Sequence, residues 1–251
     1  MNKNVNRVLL IVAVGLFLSG CGQGWGWYVV DPSTKSGWIN LKFLMSGFWY
    51  TILLSFVSLL IAIPIGLLVA LPGFSKNPFL RGFNRTYVEL IRALPVLVAI
   101  LWIHYGLPTL FPSIDLTVFW SGVIALSICE TAFLAEIFRA GIQSIPKGQT
   151  EAAQSISLSY FDRMYYVILP QALRRILPAI GNQFVYMLKM SSLVSVIGMG
   201  ELVRKANELA VTEYRALEIY SVLVLEYLVL ILVVSAGVRW LEKKLGADES
   251  Q

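Results

Sequence analysis

From Thr51 to Leu71 the chain reads TILLSFVSLLIAIPIGLLVAL, a stretch without a single charge. A run of this length and composition matches the roughly 20 residues that one helix needs to cross a bilayer core. Other apolar runs follow it, and the whole sequence is 57% hydrophobic and 14% charged. A soluble domain runs nearer half apolar and a quarter charged. Hydrocarbon offers the backbone no hydrogen-bond partners, so a spanning segment must pair its N–H and C=O groups internally. The expected fold class is all-α, a polytopic membrane helical bundle.

Five core spans are expected, at Phe48–Leu71, Tyr87–Phe111, Val118–Gly141, Ile176–Met199 and Ile219–Leu241. The connections set their orientation. Lys76, Arg81 and Arg85 lie between the first two spans without an acid, and Lys147, Arg163, Arg174 and Arg175 outnumber Glu151 and Asp162 between the third and fourth. Lys243 and Lys244 follow the last span. Alternating spans put these three segments on one side, which the positive-inside rule makes the cytoplasm. The C-terminus is therefore expected inside, in a multi-pass protein of a bacterial cytoplasmic (inner) membrane. The net charge of +5 is accounted for by these basic loops, with no nucleic acid partner implied. The opposite connections, Pro112–Thr117 and Gly200–Glu218, are near neutral, and the second reads as an amphipathic surface helix.

At the N-terminus, Lys3 and Arg7 precede the apolar run Val8–Leu18, which ends in Leu18-Ser19-Gly20-Cys21. Residues 1–21 thus form a signal-like or anchor segment, either cleaved and lipidated at Cys21 or retained as a short helix. An external interfacial segment, 22–46, carries Trp25, Trp27, Tyr28 and Trp38, residues suited to the membrane–water boundary. The transmembrane domain is expected over 47–243, with a cytoplasmic tail at 244–251. Cys21 and Cys129 lie in different apolar stretches without metal-ligand spacing, so neither a disulfide nor a metal site is expected.

Between the third and fourth spans lies a polar, basic island, residues 141–184. Ser144-Ile145-Pro146-Lys147-Gly148 makes a turn, and good helix formers fill Gln149–Ser157 around Glu151, Ala152 and Ala153. The alanines allow a partner surface to approach closely. Tyr160 and Phe161 offer aromatic anchors, Arg174 and Arg175 sit at the membrane surface, and Pro170 with Pro178 marks the return into the next span. No GxxxxGK[ST] phosphate loop occurs anywhere, so the chain cannot hydrolyse ATP alone.

The island resembles the signature of binding-protein-dependent ABC import permeases: Glu-Ala-Ala, three residues, Gly, nine residues, a branched apolar residue, one residue, Leu-Pro. Glu151-Ala152-Ala153 is followed at that spacing by Ser157, Val167, Leu169 and Pro170. The departure is Ser157 in place of glycine, a residue that accepts unusual backbone angles less readily. YVELIRALPVLVAIL (87–101), AFLAEIFRAGIQSIPKGQTEAA (132–153) and GNQFVYMLKMSSLVSVIGMGEL (181–202) are similar to the polar amino acid uptake branch, the histidine/glutamine/glutamate type. The resemblance covers about residues 47–243. It implies a type I ABC importer permease fold and no enzymatic activity in this chain. It also implies an ABC ATPase subunit dimer that presses on the loop 144–170 through Gly148, Glu151, Ala152, Ala153, Ser157, Leu158, Leu169 and Pro170. A second permease subunit, identical or a sister chain, and an extracytoplasmic solute-binding protein complete the implied assembly. There is no cofactor in this chain; ATP and magnesium belong to the ATPase.

Among the charges inside expected spans, Glu130 and Lys189 lie deep. Glu130 stands about eleven residues into its span, roughly 17 Å deep, and Lys189 is similarly deep. Each costs about 2.5–3.5 kcal/mol at the bilayer centre, so such residues usually face a cavity or a partner. Asn182, Tyr186, Lys189 and Ser192, with Ser191 beside them, follow a three-to-four-residue spacing that shares one helix face. These residues either line a substrate path, with Glu130 meeting an ammonium group and Lys189 a carboxylate, or the two charges pair with each other or with backbone and only hold helices together. Glu89/Arg92 and Glu136/Arg139 are spaced as local ion pairs. His104 suits a hydrogen-bonded structural role better than a proton relay, and Pro64, Pro95 and Pro178 are expected to kink their helices. An ion-coupled carrier built on Glu130 and Lys189 calls for inverted repeats, which the sequence lacks. An intramembrane enzyme is equally unsupported, because neither HExxH nor GxSxG occurs.

Overall fold

The computed structural model describes residues 26–244. The signal-like segment 1–21 with Cys21, then Trp25, and the tail beyond Lys244 lie outside the described residues. Every regular element among the described residues is helical: α1 (Lys35–Met45), α2 (Gly47–Ala70), α3 (Pro78–Ala93), α4 (Val96–Leu110), α5 (Val118–Gln143), α6 (Lys147–Ser155), α7 (Tyr160–Ile197), α8 (Leu202–Glu213) and α9 (Ala216–Lys244). Lys35–Phe74, α5 and α9 are each long and apolar enough to cross a membrane. The total reaches 5 only when two bent pairs count as one span each, α3 with α4 at 92° and α7 with α8 at 48°.

The expected span Tyr87–Phe111 is therefore two helices. Pro95 disfavours a helical conformation at the preceding residue, and here the chain leaves the helix: Leu94 lies at φ −80°, ψ 121° and Pro95 at φ −62°, ψ 129°. The other expected kinks do not break their helices, since α2 continues through Pro64 and α7 through Pro178. Two further prolines widen the helix ahead of them. Trp102–Gly106 and Arg163–Ile168 are π-helical turns, and they contain His104 and Tyr166, the residues four before Pro108 and Pro170. Proline has no N–H for that carbonyl and its ring crowds it, so a wider turn relieves the conflict. The fourth span, expected from Ile176, begins at Tyr160, which places Arg174 and Arg175 inside a continuous helix.

The segment Gly200–Glu218, expected as a surface helix, is packed into the molecule. Leu202, Ala206, Leu209 and Ala210 of α8 are buried, the last three in a cluster with Val29, Val30, Leu44 and Ile219. Glu201 caps α8 by accepting the Arg204 N–H at 2.8 Å, and its other carboxylate oxygen accepts the Tyr227 hydroxyl at 3.0 Å. The turn Trp27–Val30 is tied to the same end of the bundle. Gly26 N–H donates to Glu218 at 2.7 Å, and the Asn40 amide donates to Val29 O at 2.9 Å and to Glu213 at 3.2 Å.

The centre of the bundle is the contact between α2 and α5. Lipid tails are as apolar as leucine, so helices associate in a membrane by close fit and interhelical hydrogen bonds. Small residues supply that fit here: Ser58, Ala62 and Gly66 of α2, and Ser127, Ala132 and Ala135 of α5, are all buried. Ser127 donates to Ser58 O at 3.0 Å. A Cβ on Gly66 would lie 2.7 Å from the Leu134 Cβ and 3.2 Å from Thr131 O. Gly66→Ala should therefore destabilise the protein by about 1–3 kcal/mol through overpacking. Gly82→Ala on α3, where a Cβ meets nothing within 4 Å, should be neutral or stabilising by about 0.5–1 kcal/mol. Apparent melting temperatures of the two purified variants in one detergent check the pair.

Candidate functional site

The loop between α5 and α7 carries a short helix held by both of its neighbours. α5 ends at Ser144, whose side chain donates to Gly141 O at 2.7 Å. Ile145 then buries itself in the cluster that includes Phe138, Ile168, Ala172 and Ile176, and Pro146 stands at the N-terminus of α6. Arg175 donates from α7 to Ser144 O at 2.6 Å, and Gln171 donates to Gln149 Oε1 at 3.2 Å. Of the Glu-Ala-Ala triplet, Ala153 is buried while Glu151 and Ala152 face outward. Gly148 is exposed, and a Cβ there meets nothing within 4 Å.

Ser157 closes the helix. Its φ of 58° lies in the left-handed region. Ser157 N–H donates to Gln154 O at 2.9 Å and Leu158 N–H to Ala153 O at 3.1 Å, the paired bonds of a Schellman C-cap. This is the position where the resembling signature has glycine. The bend is thus formed by serine at a conformational cost. Ser159 then caps the next helix by accepting the Asp162 N–H at 3.2 Å. Leu169 and Pro170 follow in α7, Leu169 half-buried and Pro170 exposed.

Sequence reasoning found Tyr160 and Phe161 and passed over their neighbours. Ile156 is 70% exposed and Phe161 81%, and Tyr165 and Tyr166 stand out from the surface beside them. Their signal was the apolar character of residues in a polar loop. The structure adds that α6, the C-cap and the first turns of α7 present them together.

The intramembrane polar residues separate. Glu130 is 2% exposed, with Gln183 beside its carboxylate and its Oε1 buried without a hydrogen-bond partner among the described residues. Tyr186 packs on Phe133, ring centroids 6.2 Å apart. Lys189 is exposed and lines a groove of about 530 Å³ with Ser192, Tyr227 and apolar residues of α9. No ion pair joins Glu130 to Lys189 among the described residues, so the expected alternative of a mutual pair is not what the structure contains. Asn182 is exposed at the far end of the stripe, 3.5 Å from Glu242. Ser191 and Ser192 turn back onto Leu188 O and Lys189 O, because the helix tightens into a 3-10 turn at Ser191.

The expected local pairs are exchanged for others. Glu89 pairs with Arg85 at 2.8 Å rather than with Arg92, and Arg92 crosses to Glu136 of α5. Arg139 is left without the expected partner. His104 bonds through Nδ1 to Ser121 Oγ at 2.9 Å, tying α4 to α5. Sequence reasoning missed another buried carboxylate, Glu226, whose oxygens both lack a partner among the described residues. Its signal was a single acid within the apolar run of α9.

The chain is a helical bundle with a short, outward-facing helix fixed between two long helices. The crystal structure of an amino acid ABC transporter with histidines superposes at TM-score 0.78 and 38% identity, covering 83% of this chain and 97% of that one. Residues 62–247 match the binding-protein-dependent transport system inner membrane component family, and the chain belongs to that family. It is similar to the probable glutamine ABC transporter permease protein GlnM of Bacillus subtilis (strain 168), 37% identical over 82% of this chain and 94% of the relative. The glutamine transport system permease protein GlnP of Escherichia coli (strain K12) is 35% identical over 83% of this chain and 95% of its own length. The chain is thus a permease subunit and not an enzyme.

The left-handed Ser157 gives a direct check on the bend. Ser157→Gly should raise the apparent melting temperature, because relief of about 1–2 kcal/mol of steric cost exceeds the roughly 0.5–1 kcal/mol entropy cost of glycine. Ser157→Val should lower it, and thermal denaturation of both variants measures the difference.

Proposed function

We propose that the chain is the permease subunit of an ATP-driven importer of polar amino acids, moved by a partner ATPase through α6. The observation that carries this reading is the outward face of α6, with Glu151 and Ala152 free for contact while Ala153, Gln149 and the Arg175–Ser144 bond fix the helix to α5 and α7. A push on that face is transmitted to two spans at once. The glutamine permeases among its relatives support a polar amino acid as cargo.

In this reading two permease subunits enclose the path, two ATPase subunits grip α6 and the turns around Ser157 and Leu158, and an external solute-binding protein delivers the cargo. ATP and magnesium are held by the ATPase. Closure of the ATPase pair draws the two copies of α6 together and opens the spans outward, a rigid-body switch of packed elements. The basic segments around Lys76–Arg85 and Lys147–Arg175, with the C-terminus, face the cytoplasm in this arrangement. Glu130 belongs to the substrate path. What supports it is a carboxylate oxygen buried in the bundle without a partner among the described residues, beside Gln183 and Tyr186.

A tagged chain purified from its own membranes in mild detergent should bring down an ATPase, and proteoliposomes of the complex should take up amino acid only with ATP. Ala152→Arg, at an exposed position, should leave the fold intact and cut both by more than about tenfold, because the charge enters a tight interface without a partner. Absence of any ATPase from the wild-type preparation overturns the reading. Glu130→Gln should lower the uptake rate, and unchanged rate and substrate preference would remove Glu130 from the path.

A further inference from the structure

We infer that the cavity between α3 and α5 binds the phosphate of an anionic lipid headgroup. The cavity measures about 390 Å³, within the range of small-ligand sites. Arg81, Asn84, Arg85 and Glu89 line it from α3, and Glu136 and Arg139 from α5. Both acids are already engaged, Glu89 with Arg85 at 2.8 Å and Glu136 with Arg92. Arg81 and Arg139 face the same space and have no ion pair among the described residues. Two uncompensated guanidinium groups on opposite walls suit a phosphate, whose oxygens accept paired N–H donors.

Room for such a group is built in at Gly73. A Cβ there would lie 3.0 Å from Asn84 Oδ1 and 3.7 Å from Arg139 Cδ, so a larger side chain would fill the mouth. The Asn84 amide is turned away to Val69 O and fixes that wall.

The surroundings favour a lipid over a free anion. α3 carries the arginines at 81 and 85 on its cavity side, while Phe79, Phe83 and Leu90 form an exposed apolar stripe. α3 is bent 92° from α4, so the two do not run as one straight span. An amphipathic helix in that position lies at the boundary of headgroups and acyl chains. The site then holds the phosphate while the apolar stripe meets the tails. Placement on the cytoplasmic leaflet, whose anionic lipids attract basic segments, rests on the orientation proposed above; retention of lipid by the purified chain does not depend on it.

Native mass spectrometry of the full-length chain in detergent, offered phosphatidylglycerol or phosphatidylcholine, tests the site. Both headgroups carry a phosphate, but phosphatidylcholine also brings a quaternary ammonium among the arginines of the cavity, so the wild type should retain the anionic lipid about tenfold better, a difference of about 1.4 kcal/mol. The double variant R81Q/R139Q should lose that preference, R81K/R139K should keep part of it, and R239Q, which does not line the cavity, should match the wild type. Equal retention of the two lipids, or undiminished preference in R81Q/R139Q, overturns the proposal. Displacement of phosphatidylglycerol by millimolar inorganic phosphate also overturns it, by making a soluble anion the ligand.

Discussion

Close approach of α2 and α5 is the constraint on which the other contacts depend. Between two apolar helices in lipid there is no hydrophobic gain to draw them together, so the pair relies on small side chains and on Ser127 reaching Ser58 O. Other elements then attach to this pair. α3 is fixed by Asn84 to Val69 O, by Tyr87 to Thr131 and by Arg92 to Glu136. α4 is fixed by His104 to Ser121, and α7 packs where Gly141 admits Ile176. Because α5 and α7 are both held in this way, the loop between them starts and ends on rigid supports.

That rigidity gives α6 its mechanical character. A helix of 9 residues is too short to be stable by itself. It persists because Ile145 and Ala153 are buried, because α7 donates to the turn before it, and because the Schellman bonds close its end. The serine at a left-handed angle shows how tightly the bend is specified: the surrounding contacts hold a conformation that the residue itself disfavours. The exposed aromatic residues after the bend extend the same surface.

The charges show how tertiary structure re-sorts local expectations. Spacing along a helix offered Glu89 to Arg92 and Glu136 to Arg139. Once α3 crosses α5, Arg92 finds Glu136 on another helix, and Glu89 takes Arg85 a turn earlier. The exchange leaves Arg139 facing Arg81 across a cavity. Glu130 and Lys189, comparable in depth along the sequence, end on different sides of the packing, one buried against Gln183 and the other open toward α9.

The sequence by itself determined the helical class, the apolar spans, the polar island between the third and fourth of them, and the Glu-Ala-Ala motif at its spacing from Leu169 and Pro170. The class, the spans and the island follow from composition and local periodicity, which a bilayer enforces through backbone pairing, whereas the motif stands out by its resemblance to the permease signature. It also marked Ser157 as an anomaly without showing that the residue adopts a positive φ. Only the tertiary structure decided that Pro95 divides one expected span at 92° while Pro64 and Pro178 leave theirs continuous. It also buried α8 under the segment Trp27–Val30 and chose the partners of the arginines. Each of those outcomes depends on which helix lies alongside at that depth, and no pattern within a single helix carries that information.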